Sequence, residues 1–154
     1  MSASRLHAAI TALHAAAAAD SSLVSLGVLV TDGLPVTQDR VNDLLVIGAT
    51  SDEEETGASL TQDWHDLGAA ASRDEIVRIR CYVRSQVGDV DVAGTRSRAF
   101  AVVAAVEALL RADIDLGLGQ VLNASVVEAN YIVSQSTNGT AVWVPFTVRV
   151  RALI

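Results

Sequence analysis

The sequence predicts an α+β domain: a mostly antiparallel sheet of about four to five strands, two main helices packed on one face, and a long loop or hairpin insertion. Three observations lead there. Two stretches, one near the N-terminus and one after Gly94, repeat their apolar residues with a helical period. Two others, Val77 to Val83 and Val142 to Val150, alternate apolar and polar residues as a half-buried strand does. The elements follow one another as helix, two strands, long loop, strand, helix and hairpin, a mixture that favours helices on one side of a sheet over a doubly wound fold. A chain of 154 residues is expected to form one domain, 1–154, with enough length for a sizeable core.

The first helix is expected over 4–19, where Leu6, Ile10, Leu13 and Ala17 line one face of an alanine-rich segment. Early Arg5 and the alanines before Asp20 loosely resemble a secretory leader, but His7, Thr11 and His14 interrupt the apolar middle, so the segment reads as a retained helix. Ser21 and Ser22 are expected to end it. Val28 to Val30 then forms a short strand running into the turn Thr31-Asp32-Gly33, and Pro35 breaks regular structure. A second strand lies in Asp43 to Ala49, and its continuous apolar run Leu44 to Ile47 predicts cover on both faces.

From 50 to 73 the composition turns acidic, with Asp52-Glu53-Glu54-Glu55 and few apolar anchors. That length fits either an extended functional loop or the end of a long hairpin. In the strand from Glu75 to Gln86, Val77, Ile79, Cys81 and Val83 face a core. Arg78, Arg80, Tyr82 and Arg84 make the opposite face cationic. A second helix is expected over 95–113 with Thr95 as N-cap and Ala99, Val102, Val103, Val106, Leu109 and Leu110 as its apolar stripe. The C-terminal hairpin spans 121–154. Its first arm, Val121 to Ser134, reads as one strand with an irregularity near Glu128 to Asn130, and Asn138-Gly139 marks the turn. The last arm sets Val142, Val144, Phe146, Val148 and Val150 against Trp143, Pro145, Thr147, Arg149 and Arg151, and Pro145 predicts an edge position or the start of pairing.

Composition narrows the function classes. Apolar residues make up 51% and mean hydropathy is +0.37. That supply excludes a predominantly disordered chain and exceeds what a small core needs, so part of it is expected to lie against other subunits. The longest apolar run, Ala99 to Leu110, contains Glu107 and is too short for a bilayer span, so no membrane partner is expected. Every one of the 11 basic residues is arginine, and 18 acids bring the net charge to −7. A negative field repels phosphate and argues against a protein that coats nucleic acid. A lone cysteine, Cys81, forms no intrachain disulfide and sits on the apolar face of its strand.

No constellation for catalysis, cofactor binding or metal binding emerges. His7 and His14 lie two helical turns apart, about 10 Å, too far to share a metal. Asp63, His65 and Asp66 form the one group suited to acid–base or cation chemistry, and with it a small metal-dependent hydrolase remains as the alternative reading. The carboxylates from Asp52 to Glu55 lack the alternation and central glycine of a calcium loop. Gly117-Leu118-Gly119 follows a helix and lacks the third glycine of a dinucleotide fingerprint, and without lysine no phosphate-loop motif exists. The Asn-x-Ser/Thr sites at Asn123 and Asn138 have no secretion signal to support them. Arg78, Arg80 and Arg84, with Tyr82 between them, suit carboxylates at a subunit interface better than DNA, given the overall charge.

The order of motifs resembles the tail-completion, or tail-terminator, proteins of long-tailed bacteriophages. The alanine-rich helix, Thr31 to Pro35, the strand Leu44 to Gly48, and Asp63-Trp64 with Gly68 carry the first half of that resemblance. Arg73-Asp74-Glu75 leading into Ile76 to Arg84, then Gly88, Arg96, Ala99, the helix to Leu110, and Gly139 before Phe146 to Arg151 carry the second. The chain departs from the family in a longer acidic insertion from Asp52 to Thr61 and in its long final hairpin. The resemblance implies a structural virion protein without catalytic residues, forming a ring, typically hexameric, on the head-proximal end of the tail tube. It implies copies of itself, the major tail tube protein and the head–tail connector or stopper as partners. Genomic DNA would pass through the lumen without specific binding. Assembly would take place in the host bacterial cytoplasm, and the protein would reside in the neck of the virion. A head-side neck adaptor is the alternative within the same class. Candidate interface residues are Asp52, Glu53, Glu54, Glu55, Trp64, Arg78, Arg80, Arg84, Glu128, Trp143, Arg149 and Arg151.

Overall fold

A computed structural model of the chain describes residues 4–35, 41–51, 55–65 and 72–154. Its elements are α1 (Leu6–Ala19), α2 (Ser21–Ser25), β1 (Leu29–Asp32), β2 (Asp43–Ile47), β3 (Ala58–His65), β4 (Ser72–Val87), α3 (Val92–Ala112), β5 (Val121–Ala129), β6 (Ile132–Ser136) and β7 (Gly139–Leu153). The fold is α+β as expected, but the sheet is seven-stranded and mixed, and a third helix is present.

Two long strands carry the sheet. β4 and β7 pair antiparallel from Asp74–Leu153 to Val87–Thr140. β2 and β3 share the far edge of β4, and β5 and β6 share the far edge of β7. β1 joins β2 in parallel, the exception to the antiparallel expectation. Strand alternation sends Val77, Ile79, Cys81 and Val83 of β4 to one face with Val142, Val144, Phe146, Val148 and Val150 of β7. Ala9, Leu13 and Ala17 of α1 and Ala99, Val102, Val103, Val106 and Leu110 of α3 cover that face, forming one contiguous core. Among the described residues no helix lies on the opposite face.

Several local expectations change, each for an identifiable reason. Asp20 accepts a hydrogen bond from the Leu23 N–H at 3.1 Å, so Ser21 and Ser22 start α2 where a helix end was expected. α3 begins before Thr95 because Asp91 is its N-cap and accepts from the Gly94 N–H, while the Thr95 hydroxyl donates back to the Asp91 carbonyl at 2.6 Å. The stretch expected as a long loop contains β3, which pairs Ala58–His65 with Ile79–Ser72, so hairpin geometry accounts for the described part of it. The arm read as one strand divides into β5 and β6. Pro145 lies in a central strand, not at an edge. Its carbonyl accepts from the Asn130 N–H at 2.8 Å, so its missing N–H points at the break between β5 and β6, where no ladder bond is lost.

The opposite edge of the ladder breaks at almost the same level. Gly48 N–H donates to the Arg80 carbonyl and Arg80 N–H to the Gly57 carbonyl, at 2.9 and 2.8 Å, so one residue of β4 closes both β2 and β3. A Cβ on Gly57 would stand 2.1 Å from the Gly48 carbonyl oxygen, which restricts that position to glycine.

Glu75 continues the alternation of Val77 and Ile79 inward and is fully buried. Its Oε1 accepts from Ser4 Oγ at 3.0 Å and from the Arg5 N–H at 2.5 Å, and its Oε2 accepts from Gln62 Nε2 at 2.9 Å. Arg5 is the N-cap residue of α1 and supplies no side-chain cap of its own. A carboxylate from the sheet fills that role and meets the positive end of the helix dipole. Asp43 makes the second such tie, accepting from Arg98 of α3 at 2.9 Å and from Ser85 Oγ at 2.7 Å.

Replacing Glu75 with alanine removes the acceptor of three hydrogen bonds, opens a space in the core, and is expected to cost about 3 kcal/mol. The urea midpoint of Glu75→Ala should fall accordingly, with α1 losing hydrogen-exchange protection before α3. Burial pushes the Cys81 thiol from 9.0 up to about 12. The folded state therefore keeps its proton while the unfolded chain loses it, and this contribution to stability is complete below pH 9 and declines from there towards 12. Native protein at neutral pH should leave a disulfide reagent unconsumed, and one equivalent should react on denaturation.

Candidate functional site

The uncovered face of the sheet holds the groups that sequence reasoning singled out. Arg78, Arg80, Tyr82 and Arg84 of β4 share it with Trp143, Pro145, Thr147, Arg149 and Arg151 of β7. At one end Leu44, Val46 and Tyr82 form a small buried apolar cluster, with half-buried Trp143 packed against it, which answers the expectation of cover on both sides of β2. The rest of the face is mostly polar and charged, with Ile76, Ile132, Pro145 and Leu153 among its apolar positions.

A groove of about 430 Å³ crosses the middle of this face, where the flanking strands break. The β2–β3 connection, with Thr50, Ser51 and Glu55, forms one bank; Glu128, Asn130 and Ile132 at the β5–β6 break form the other. Arg78 and Arg80 stand between them. On the helix side of the sheet the same break is held by Tyr131, whose ring lies 6.2 Å from Phe100 and 5.8 Å from the Arg96 guanidinium.

Charges on the face divide into two kinds. Arg80 Nη1 meets Glu55 Oε2 at 3.2 Å, and Arg151 Nη2 meets Asp74 Oδ2 at 3.0 Å. Arg84 donates to the Val41 carbonyl at 3.3 Å. Arg78 and Arg149 are direct cross-strand partners, and neither has a carboxylate within salt-bridge distance among the described residues. Because the backbone groups of Arg80 point to β2 and β3, those of Arg78 do too. The Arg78–Arg149 pair is thus a non-hydrogen-bonded one, the geometry that brings opposed side chains closest. Like charges placed so are destabilising until an anion joins them.

The sequence-selected residues are therefore gathered only in part. Arg78, Arg80, Glu55 and Glu128 line one groove; Arg84, Trp143, Arg149 and Arg151 occupy the same face beyond it. Trp64 lies apart on β3, 57% exposed, with the Arg73 guanidinium 4.8 Å from its ring. Asp52, Glu53 and Glu54 lie outside the described residues. Of the alternative acid–base group, Asp63 is exposed on β3 opposite Asp74, His65 ends that strand, and Asp66 lies outside the described residues. Among the described residues no three His, Cys, Asp or Glu side chains are grouped to hold a metal, and no helix is long and apolar enough to cross a membrane. Sequence reasoning missed Glu75 as a structural carboxylate, although the alternation that placed Val77 and Ile79 inward also places Glu75 there. What the geometry offers is a surface for ionic docking, built on rigid strands.

No protein-family model matches the chain, and no curated protein does. Among solved structures it is similar to a chain of the virion of a native gene transfer agent (GTA) particle, with 19% sequence identity over 99% of this chain and 100% of that one. With a TM-score of 0.62 at that identity, what the two share is the fold, over essentially the whole length of both.

Proposed function

We propose that this chain is a structural component of a phage-like virion and acts as its tail terminator. Copies of it form a ring, hexameric in this reading, that caps the head-proximal end of the tail tube, stops tube polymerisation and offers the docking surface for the head–tail connector. The carrying observation is the likeness in fold, from end to end, to a chain of a gene transfer agent virion. The order of motifs along the sequence supports it independently. So does a sheet in which β1, β3, β5 and β6 each have one edge unpaired among the described residues, with one uncovered, charged face, which suits a subunit that completes itself by assembly. The partners are the tail tube protein, the connector or stopper, and further copies of the chain. The protein resides in the neck, is assembled in the cytoplasm of the host bacterium, and lets the genome pass through an acidic lumen that phosphate does not adhere to. No step in this role asks for a catalytic residue.

Deleting the gene from the particle-producing genome is the direct test. Electron microscopy of the lysate should show tails of uncontrolled length and heads without tails. Free tails of normal length that fail to join heads would overturn the terminator role in favour of a neck adaptor, and normal particles would overturn a role in the virion altogether.

A further inference from the structure

We infer that the uncovered sheet face is the surface by which one copy of this chain holds the next, with Arg78 and Arg149 seating carboxylates of the neighbour. This rests on the reading of the protein as a ring-forming subunit. On the sheet Arg80 has Glu55, Arg151 has Asp74 and Arg84 has the Val41 carbonyl, while Arg98 of α3 has Asp43. Arg78 and Arg149 instead face each other across the closest kind of strand pair, and the Nε of Arg149 is buried with no acceptor. An incoming carboxylate would bridge both guanidinium groups, replacing a repulsion with two charge-assisted hydrogen bonds.

Charge distribution points to a second copy as the occupant. The face carries Arg78, Arg80, Arg84, Arg149 and Arg151 against Glu55, Asp63, Asp74 and Glu128 among the described residues. Away from that face, the described carboxylates that are neither buried nor paired with an arginine (Asp20, Asp32, Asp89, Asp91, Glu107, Asp113 and Asp115) outnumber the arginines Arg5, Arg73, Arg96 and Arg111, so the rest of one molecule is complementary to the open face of another. A contact between two different surfaces is heterologous, the kind that closes into a ring. Glu55, paired with Arg80, and Glu128 at the two banks of the groove disfavour a continuous run of anions such as phosphates and confine an incoming carboxylate to the Arg78–Arg149 pair.

Native mass spectrometry of the purified full chain at low ionic strength, on wild type, Arg78→Glu/Arg149→Glu and Arg78→Lys/Arg149→Lys, tests this. Wild type should give a closed oligomer that salt weakens. The glutamate variant should lose the oligomer while keeping the wild-type circular dichroism spectrum and melting temperature, and the lysine variant should retain it in weakened form. An oligomer that survives in the glutamate variant overturns the assignment of this face and leaves the ring itself intact. A wild-type chain that stays monomeric overturns the inference, while the tail-length phenotype decides the functional reading separately. Salt-sensitive binding of duplex DNA by the wild type, lost in the glutamate variant, would reassign the face to phosphate and overturn it too.

Discussion

The pairing of β4 with β7 is the constraint on which the molecule depends. These strands are the longest of the sheet, and every other strand except β1 is hydrogen-bonded to one of them. Their alternation decides both faces together. With the observed register, Val77, Ile79 and Val83 meet Val150, Val148 and Val144 in the core, and Arg78 and Arg149 emerge opposite. Slippage by one residue in either strand would send a guanidinium into the helix-covered face, where an unpaired charge costs several kcal/mol. The arginines therefore secure the register by what their burial would cost, even where they form no contact of their own.

Against that ladder, charge is used in two opposite ways. Inside, Glu75 and Asp43 are surrounded by donors and fasten α1 and α3 to the sheet, so neither helix depends on apolar contact alone. α1 has most need of this, because its alanine-rich face buries little area per residue and its own N-cap has no side-chain acceptor. Outside, arginines are lined up on an uncovered surface where water screens their mutual repulsion. The same residue chemistry is rigid and satisfied on one face of the sheet, and available on the other.

Much of this was legible in the sequence because period-two alternation survives in long strands. The core and cationic faces of β4, the apolar comb of β7 and the stripe of α3 follow from residue spacing alone. What was not legible depended on tertiary partners. β3 has too few apolar residues to signal a strand, since Ser59, Thr61 and Asp63 face the open side and its stability comes from hydrogen bonding to β4. β6 is exposed at every position, so it shows no burial period. Pro145 signals an edge on local grounds, and only the break between β5 and β6 shows why a central strand tolerates it. In the site, the cationic face could be read directly. The pairing of Arg80 with Glu55 could not, because it requires the close approach of Gly48 and Gly57 that brings the acidic bank over the strand.

A sheet with an open face and several free strand edges risks indiscriminate association, and the way its exposed surface is built bears on how a ring could form. An apolar open face would bind copies strongly and with little regard to orientation. A cationic face on an otherwise acidic protein binds only where a carboxylate of the right spacing meets it, so charge supplies selectivity and encounter rate more than raw affinity. Arginine suits this better than lysine, because its planar fork fixes the angle of approach as well as attracting the partner. In the proposed ring, such a contact would hold neighbouring subunits in one relative orientation. Rotational closure would then use up every open face, leaving none from which growth could continue.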